Sequence, residues 1–445
     1  MQWTKFKNKL GKLRVAANRR YLEFDDGAPF FYLGDTAWEL FHRLNREEAQ
    51  VYLSNRAAKG FTVIQAVALA ELGGTDIPNP YGDLPLIDRD PTRPNEDYFR
   101  HVDQIVHYAE EVGLFIGMLP TWGSCWKLDN RDTAIFTPDN ARVYGRYLGE
   151  RYRDNAIIWI LGGDQNIESA EEHAIIESMA LGLREGDGGA HLITFHPRGP
   201  GRSAEFLQAE WLDFNMCQSS HGAHDHDNGL FIDHDYALEP PKPTVDGEPH
   251  YETMPVGFYY RDVSRYDRFD DYDVRQAAYW ALMAGACGHT YGHNCIWQMW
   301  TPEQVPAIWA NIPWYESLDT PGAFQMGFAR RLFEAYPFQE LVPAQDMIVD
   351  GPTGGGAKIR AMLSRDKTFA FIYSPRGEPF AIDKRVFNPR RLKESWYDPR
   401  YGCTYYFHTT ANASFQTYAP PTSGRGNDWI LILEDEKAEN PYQGL

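Results

Sequence analysis

The feature that most constrains the fold is an alternation that runs from residue 28 to about residue 300. Short apolar runs with strand character are separated by longer stretches with helical periodicity. Near-continuous apolar strands that alternate with helices are typical of a parallel sheet covered by helices. Eight such runs follow one another, at residues 30–35, 61–67, 114–120, 156–161, 192–197, 214–221, 243–248 and 289–293. Eight units in this order predict a (β/α)₈ TIM barrel.

The helices are expected between those runs, over residues 46–59, 96–112, 138–153, 168–185 and 272–285. A doubly wound open sheet is the competing arrangement. That fold usually carries a glycine-rich phosphate-binding turn after its first strand. The segment from Gly34 to Trp38 reads Gly-Asp-Thr-Ala-Trp and is not such a turn, which favours the barrel.

The pattern changes after residue 340. Residues 357–363, 368–374, 380–387 and 429–433 are short apolar segments separated by Gly, Pro and Asn turns. This pattern predicts a C-terminal antiparallel β-sandwich. Residues 13–17 and 20–24 read as a hairpin that caps the barrel floor or joins the sandwich. We therefore predict a catalytic barrel over residues 1–340 and an accessory sandwich over residues 341–445.

Composition and charge exclude several classes of partner. The formal net charge of −19 argues against nucleic acid and against an anionic membrane surface. No run of 18 apolar residues exists that could cross a membrane. Residues 1–20 are basic without an apolar segment of signal-peptide length, so a cytoplasmic protein is expected. Five scattered cysteines form neither a disulfide framework nor a zinc-binding pattern.

Polar residues collect at the carboxyl ends of the predicted strands, where the active sites of (β/α)₈ barrels lie. Two of them are carboxylates, Asp164 after the fourth strand and Glu248 after the seventh. These strand ends face each other across the barrel mouth. The other residues in these positions are Asp35, Trp38, Gln65, Trp122, Gln165, Asn166, His196, Gln218, Ser219, His221, Tyr251, His293 and Trp297.

Two carboxyl groups facing each other can hydrolyse a glycosidic bond. One acts as an acid that protonates the leaving oxygen, and the other attacks or stabilises the anomeric carbon. The apolar strand before Asp164 predicts partial burial, which raises the pKa of a carboxyl and suits the acid role. The alternative at this stage is structural: Asp164 could cap the following helix, and Glu248 could pair with an arginine.

Three segments together resemble glycoside hydrolase family 140, the apiosidase-like barrels: YLGDTAWELFHRL at the first strand, WILGGDQN at the fourth and DGEPHYE at the seventh. The resemblance implies retaining hydrolysis of an apiose-containing glycan, such as that of pectic rhamnogalacturonan II. It also implies Asp164 as the acid/base and Glu248 as the nucleophile. Related barrels usually carry Asn-Glu at the fourth strand end, where this chain has Gly163-Asp164, so another residue, such as Asn166, must bind the sugar hydroxyl.

Ten further residues are candidates for substrate binding. Asp35 could bind sugar hydroxyls or cap a helix, and the tryptophans could stack on sugar rings or pack in the core. The candidates are Asp35, Trp38, Trp122, Asn166, His196, Gln218, His221, Tyr251, His293 and Trp297. Glu252 lies close to Glu248 in sequence, but we expect it in a loop outside the site.

The expected partner is an oligosaccharide or a small glycoside, with no metal and no other cofactor. Long loops at residues 71–95, 221–242 and 249–271 predict a pocket and therefore exo-action on a terminal furanose such as apiose. Two alternatives stay open: a metal-dependent hydrolase that uses the histidine-rich loop at residues 221–227 with His289 and His293, and a barrel that binds carbohydrate without catalysis.

Overall fold

The computed structural model describes residues 10–129, 133–206, 208–412 and 414–437. The first nine residues of the basic N-terminal segment, on which the cytoplasmic expectation partly rests, lie outside this description. None of the helices within these ranges is long and apolar enough to cross a membrane.

A small antiparallel sheet at the N-terminus closes the floor of the barrel. Its strands are β1 (Leu13–Val15), β2 (Leu22–Phe24) and β3 (Pro29–Phe30). The rings of Phe24 and Phe30 lie 6.3 and 5.3 Å from that of Phe115, which begins the third barrel strand. Of the two positions that the sequence allowed for this hairpin, the structure shows the barrel floor.

All eight predicted barrel strands are present, and the predicted fold is confirmed. Counted along the chain, the eight strands lie side by side in the order five, four, three, two, one, eight, seven, six, and each is parallel to its neighbours. A short ninth strand pairs antiparallel with the sixth. The strands are β4 (Tyr32–Thr36), β5 (Val63–Val67), β6 (Phe115–Leu119), β7 (Ile157–Gly162), β8 (Ile193–His196), β9 (Gly201–Arg202), β10 (Asn215–Gln218), β11 (Thr244–Asp246) and β12 (Gly288–Tyr291).

Helices surround this sheet, and several begin with a reciprocal cap that the sequence encodes. Asn45, Thr137, Ser169 and Asp270 each accept a hydrogen bond from the third helical residue, whose side chain bonds back to the cap. The helices are α1 (Leu40–Arg43), α2 (Arg46–Lys59), α3 (Glu96–Glu111), α4 (Pro138–Tyr152), α5 (Ala170–Asp187), α6 (Ser203–Phe206), α7 (Gly229–Tyr236), α8 (Asp271–Met283) and α9 (Pro321–Glu334).

The C-terminal region forms two antiparallel sheets, one of six strands and one of three. The larger sheet packs one face against the smaller sheet and the other against the barrel, where Phe371 contacts Phe333 of α9. The strands are β13 (Leu341–Pro343), β14 (Ile348–Asp350), β15 (Arg360–Ser364), β16 (Phe369–Ser374), β17 (Phe380–Asp383), β18 (Arg391–Asp398), β19 (Cys403–Ala411), β20 (Phe415–Tyr418) and β21 (Trp429–Asp435).

Candidate active site

A cavity of about 480 Å³ opens at the carboxyl ends of the barrel strands. Asp164 and Glu248 both line it, so the structure brings the two predicted carboxylates together. Six of the ten other candidates line it as well: Trp38, Trp122, Gln218, His221, Tyr251 and Trp297. Cavities of this size hold small-molecule ligands in many proteins.

Glu248 follows β11 and is held by two histidines. Nε2 of His221 lies 3.1 Å from Oε1, and Nε2 of His196 lies 3.0 Å from Oε2, off the line of a regular hydrogen bond. The backbone carbonyl of Glu248 accepts a hydrogen bond from Ser220 N. The carboxylate is thus held by one histidine at the end of β8 and by a second in the loop after β10. Its partners are histidines, not the arginine that the structural alternative required.

The conformation of Asp164 is set by two glycines at the end of β7. Gly162 and Gly163 have φ of +94° and +83°, and Asp164 follows with φ +57°. The carbonyl of Gly162 accepts a hydrogen bond from the Trp126 indole, and that of Gly163 accepts one from Gly123 N. A Cβ at Gly163 would lie 2.8 Å from Gly123 N, too close for any other residue. This turn directs the chain so that Asp164 borders the cavity.

Asp164 is not a helix cap in this structure. The next helix, α5, begins at Ala170, and its cap is Ser169. The backbone N–H of Asp164 instead donates to Nδ1 of His196 at 3.2 Å. Since Nδ1 accepts, the proton that the ring carries is on Nε2, which faces Glu248. His196 therefore links the backbone of one carboxylate residue to the side chain of the other.

The environments of the two carboxyls separate their pKa values. Burial raises the pKa of Asp164 to about 6, and the nearby charge of Glu248 adds to this rise. Burial alone would also raise the pKa of Glu248, but its contacts with His196 and His221 outweigh it and hold the pKa at about 2. Between these values one group is protonated and the other ionised, which is the arrangement of an acid beside a nucleophile.

Four of the candidate residues do not line the cavity. His196 lies behind Glu248, as described. Asn166 accepts a hydrogen bond from Arg198 N at 3.0 Å, which orders the loop after β8. His293 is fully buried, with Thr253 Oγ1 at 3.2 Å and Cys295 N at 3.1 Å from its ring nitrogens. These residues were candidates for sugar binding, and in the structure each has a protein partner.

Asp35 is the fourth of these residues. It is fully buried in β4, where its Oδ2 accepts hydrogen bonds at 2.5 Å from Arg56 and from Tyr52 of α2. It neither borders the cavity nor caps a helix. Glu252 also lies outside the cavity, bound to the Tyr291 hydroxyl at 2.6 Å. The preference for Glu248 over Glu252 agrees with this placement.

We expect Asp35→Ala to lower the free energy of unfolding by about 3–5 kcal/mol, because it leaves the guanidinium of Arg56 buried without its carboxylate. Urea denaturation followed by circular dichroism measures this change. Assays of the folded fraction should give a KM close to that of the wild type. A variant of normal stability with a raised KM would instead favour the sugar-binding role for Asp35.

Several cavity residues were not among the sequence candidates. Glu71, four residues after the end of β5, adds a third carboxyl, and Arg198 adds an exposed guanidinium at the rim. The others come from the loops after β8, β10, β11 and β12: Gly199, Ser220, Met254, Phe258, Tyr259, Tyr260 and Ile308. The length of two of these loops was the only signal in the sequence.

The histidine-rich loop at residues 221–227 joins the barrel to the sandwich. Asp225 pairs with Arg376 at 2.5 Å, and Asp227 pairs with Lys358 at 2.5 Å and with Arg360 at 3.0 Å. Throughout the described ranges, no group of three or more His, Cys, Asp or Glu side chains is arranged to hold a metal ion. The charged residues of this loop thus form an interdomain ion-pair network, and His221 at its start contacts Glu248.

A (β/α)₈ barrel with two carboxyl groups in one cavity at its mouth is an arrangement that glycoside hydrolases use, and comparisons with known proteins place the chain in this class. Residues 16–340 match the family model described as "Apiosidase-like, catalytic domain". This match covers most of the chain, which therefore belongs to that family. Residues 342–434 match a model described as "putative collagen-binding domain of a collagenase".

Solved structures resemble the chain over nearly its whole length. One, described as a glycoside hydrolase, is 33% identical with a TM-score of 0.87, and the match covers 97% of this chain and 98% of the other. A second, a glycoside hydrolase family 5 protein from Bacteroides vulgatus, is 31% identical with a TM-score of 0.88, covering 97% and 94%. A search among curated proteins found no match.

Proposed function

We propose that this protein is a retaining, exo-acting glycoside hydrolase of family 140 that releases a terminal furanose such as apiose from a plant-derived oligosaccharide or glycoside. The observation that carries the proposal is the pair Asp164 and Glu248, which line one cavity with pKa values displaced in opposite directions. The apiosidase-like family match supports the choice of sugar.

In the first step, the ionised Glu248 attacks the anomeric carbon while Asp164 donates its proton to the leaving oxygen. The glycosidic bond breaks, the aglycone leaves as an alcohol, and a glycosyl ester forms on Glu248. In the second step, the Asp164 carboxylate takes a proton from water, which attacks the anomeric carbon and releases the sugar. Asp164 is then protonated again and Glu248 is free.

The neighbours of the two carboxyls suit this sequence of charges. In the first step Glu248 becomes a neutral glycosyl ester and the negative charge of the pair passes to Asp164, which removes one source of the raised pKa of Asp164. Asp164, having lost its proton, is then the carboxylate that takes a proton from water. His196 and His221 keep Glu248 ionised in the free enzyme and direct its oxygens.

The walls of the cavity support exo-action. Phe258, Tyr259 and Tyr260 from the loop after β11 border it, and Ile308 comes from the segment after β12. Tyr259 is tied to Ser220 by a hydroxyl–hydroxyl hydrogen bond of 3.0 Å. An endo-acting enzyme needs an open groove in which a polysaccharide chain can extend on both sides of the cleaved bond. The residues on several sides of this cavity mouth restrict that space.

The test is hydrolysis of apiosides, arabinofuranosides and common β-hexosides, with the products resolved by size and the first-formed anomer assigned by NMR. We expect free monosaccharide from the start and retention of configuration, which requires carboxyl groups about 5–5.5 Å apart. Early internal fragments without monosaccharide would reassign the enzyme as endo-acting. Inversion of configuration would remove Glu248 as the nucleophile.

The pKa values also predict the pH dependence of kcat/KM. Glu248 must be ionised, so activity falls as the pH drops through about 2, and Asp164 must be protonated, so activity falls as the pH rises through about 6. We expect an acidic optimum with an alkaline limb near pH 6, measured from pH 3 to pH 9. An activity that keeps rising above pH 7 would contradict the assignment of Asp164 as the acid.

A further inference from the structure

Glu71 is the acidic residue of the cavity that the proposed mechanism leaves without a task. It follows the apolar segment Ala68-Leu69-Ala70 that continues β5 and opens the long loop at residues 71–95. Its side chain lines the cavity together with Asp164, Glu248 and the tryptophans contributed by the first and third strand ends, Trp38 and Trp122.

The backbone around Glu71 is fixed by contacts on both sides. The carbonyl of Leu69 accepts a hydrogen bond from Trp122 N at 3.0 Å, and Leu72 N donates to the buried Glu39 at 2.8 Å. The chain then turns at Gly74, where a Cβ would lie 2.5 Å from Ala70 N. Glu71 is therefore held at the cavity wall by its own main chain, whatever its side chain binds.

No described residue is hydrogen-bonded to the Glu71 carboxyl. The cation whose charge acts on it, Arg43, donates to the carbonyl of Gln298 at 2.7 Å and lies 3.8 Å from Glu39. A polar group at the wall of a cavity, rigidly placed and without a protein partner, has its hydrogen-bonding capacity available for a ligand.

We propose that the Glu71 carboxyl binds the terminal sugar, donating a hydrogen bond to one hydroxyl and accepting one from a neighbouring hydroxyl. This role rests on the proposed function, since the ligand is the sugar whose bond Asp164 and Glu248 cleave. A carboxylic acid has both a donor and an acceptor on one planar group, which matches two adjacent hydroxyls of a sugar ring.

The charges around Glu71 favour its neutral form. Burial raises the pKa of Glu71 well above its usual range, and the charges of Glu39, Asp164 and Glu248 raise it further. The attraction of Arg43 opposes this rise without overcoming it. A neutral Glu71 also leaves the field at Asp164 unchanged in the working range of pH, so sugar binding and proton donation stay separate tasks.

The experiment compares Glu71→Gln and Glu71→Ala with the full-length wild type on a 4-nitrophenyl glycoside that the wild type hydrolyses, starting with the apioside. An amide also donates and accepts, so Glu71→Gln should keep kcat/KM within about threefold. Glu71→Ala should lower kcat/KM about 10- to 100-fold, mainly through KM. Asp76→Ala is the matched control, because Asp76 is an exposed acid of the same loop that pairs with Arg89 at 3.1 Å.

Two measurements separate sugar binding from a structural effect. If Glu71 binds a particular sugar hydroxyl, the wild type should hydrolyse a substrate that lacks this hydroxyl more slowly than the complete substrate. Glu71→Ala should hydrolyse the two substrates at the same rate. Calorimetric titration with D-apiose, L-arabinose and D-galactose measures binding without turnover. A sugar that binds the wild type should bind Glu71→Ala about 10- to 100-fold more weakly.

Two outcomes would overturn the proposal while leaving the proposed function intact: unchanged kinetics of Glu71→Ala, and equal losses in Glu71→Gln and Glu71→Ala. A Glu71→Gln defect that disappears on good leaving groups would also overturn it, and it would move the acid role from Asp164 to Glu71. If the wild type hydrolyses no glycoside but binds a sugar through Glu71, only the proposed function fails. If the wild type binds no sugar, both fail.

Discussion

Glu248→Gln should lower kcat by about 10⁵-fold or more, since loss of the nucleophile of a covalent mechanism removes most of the catalysis. The amide has nearly the shape of the carboxylate but cannot form the glycosyl ester. It also removes a negative charge that His196 and His221 contact at 3.0 and 3.1 Å. Stopped assays on an activated aryl glycoside, with enzyme in large excess, are sensitive enough to measure the remaining rate.

Glu252→Gln is the matched control for that substitution. Glu252 is a buried glutamate four residues further along the chain, bound to Tyr291 and outside the cavity. It should keep kcat near the wild-type value, because the amide retains the acceptor for the tyrosine hydroxyl. If both variants lost activity equally, the effect of Glu248→Gln would be structural.

Glu248→Ala with added azide tests the role of the carboxylate directly. Removing the side chain leaves space beside the anomeric carbon, where azide can attack and expel the aryl leaving group in one displacement. One displacement inverts the configuration, so the product should be a glycosyl azide of the opposite anomer. A glycosyl azide with retained configuration would show that Glu248 is the acid/base and not the nucleophile.

Much of the barrel could be predicted from the sequence because its strands are buried on both faces. The strand from Ile157 to Gly162 has no exposed residue, so it reads as an uninterrupted apolar run. The five predicted helices are present as well, and caps such as Asn45 with Glu48 mark their starts, whereas α7 and α9 were not predicted. In both cases the physical cause of the element is local in the sequence.

One strand of the sandwich escaped prediction because some of its polar residues point inward. The strand Arg391–Asp398 contains Glu394, whose carboxylate is buried and bound to Lys384 at 2.7 Å. A strand is recognised in a sequence by the alternation of buried apolar and exposed polar residues. Because Glu394 is buried with its partner Lys384, this alternation is interrupted. Such pairs are specified by tertiary contacts alone.

The same distinction separates the site residues that could be predicted from those that could not. Asp164 and Glu248 directly follow apolar strands, and barrel geometry alone brings such ends together. Asp35 holds the same kind of position but is bound to Arg56, whose place depends on how α2 packs on β4. Glu71 lies beyond three further apolar residues, so the sequence shows only the start of a loop.

Asp164→Asn should lower kcat/KM about 10²- to 10⁴-fold on substrates with a poor leaving group, the usual contribution of general acid catalysis. On an aryl glycoside such as the 4-nitrophenyl derivative, the first step needs little protonation, so the loss there should be much smaller. Asparagine suits this test because it tolerates the positive φ of +57° that residue 164 adopts. The backbone bond to His196, and with it the position of Glu248, is preserved.

The pH dependence gives a second and independent sign of the same role. The alkaline limb near pH 6 reports the proton of Asp164, so it should disappear from kcat/KM of Asp164→Asn on the aryl glycoside. From pH 3 upward kcat/KM should stay level, because Glu248 remains ionised throughout this range. Because the second step lacks its base, the glycosyl ester should accumulate, visible as a burst of nitrophenol and as a mass increase of the protein by one sugar. Equal losses on both kinds of substrate, with the alkaline limb unchanged, would show that another group donates the proton, and Glu71 would then be the first residue to test.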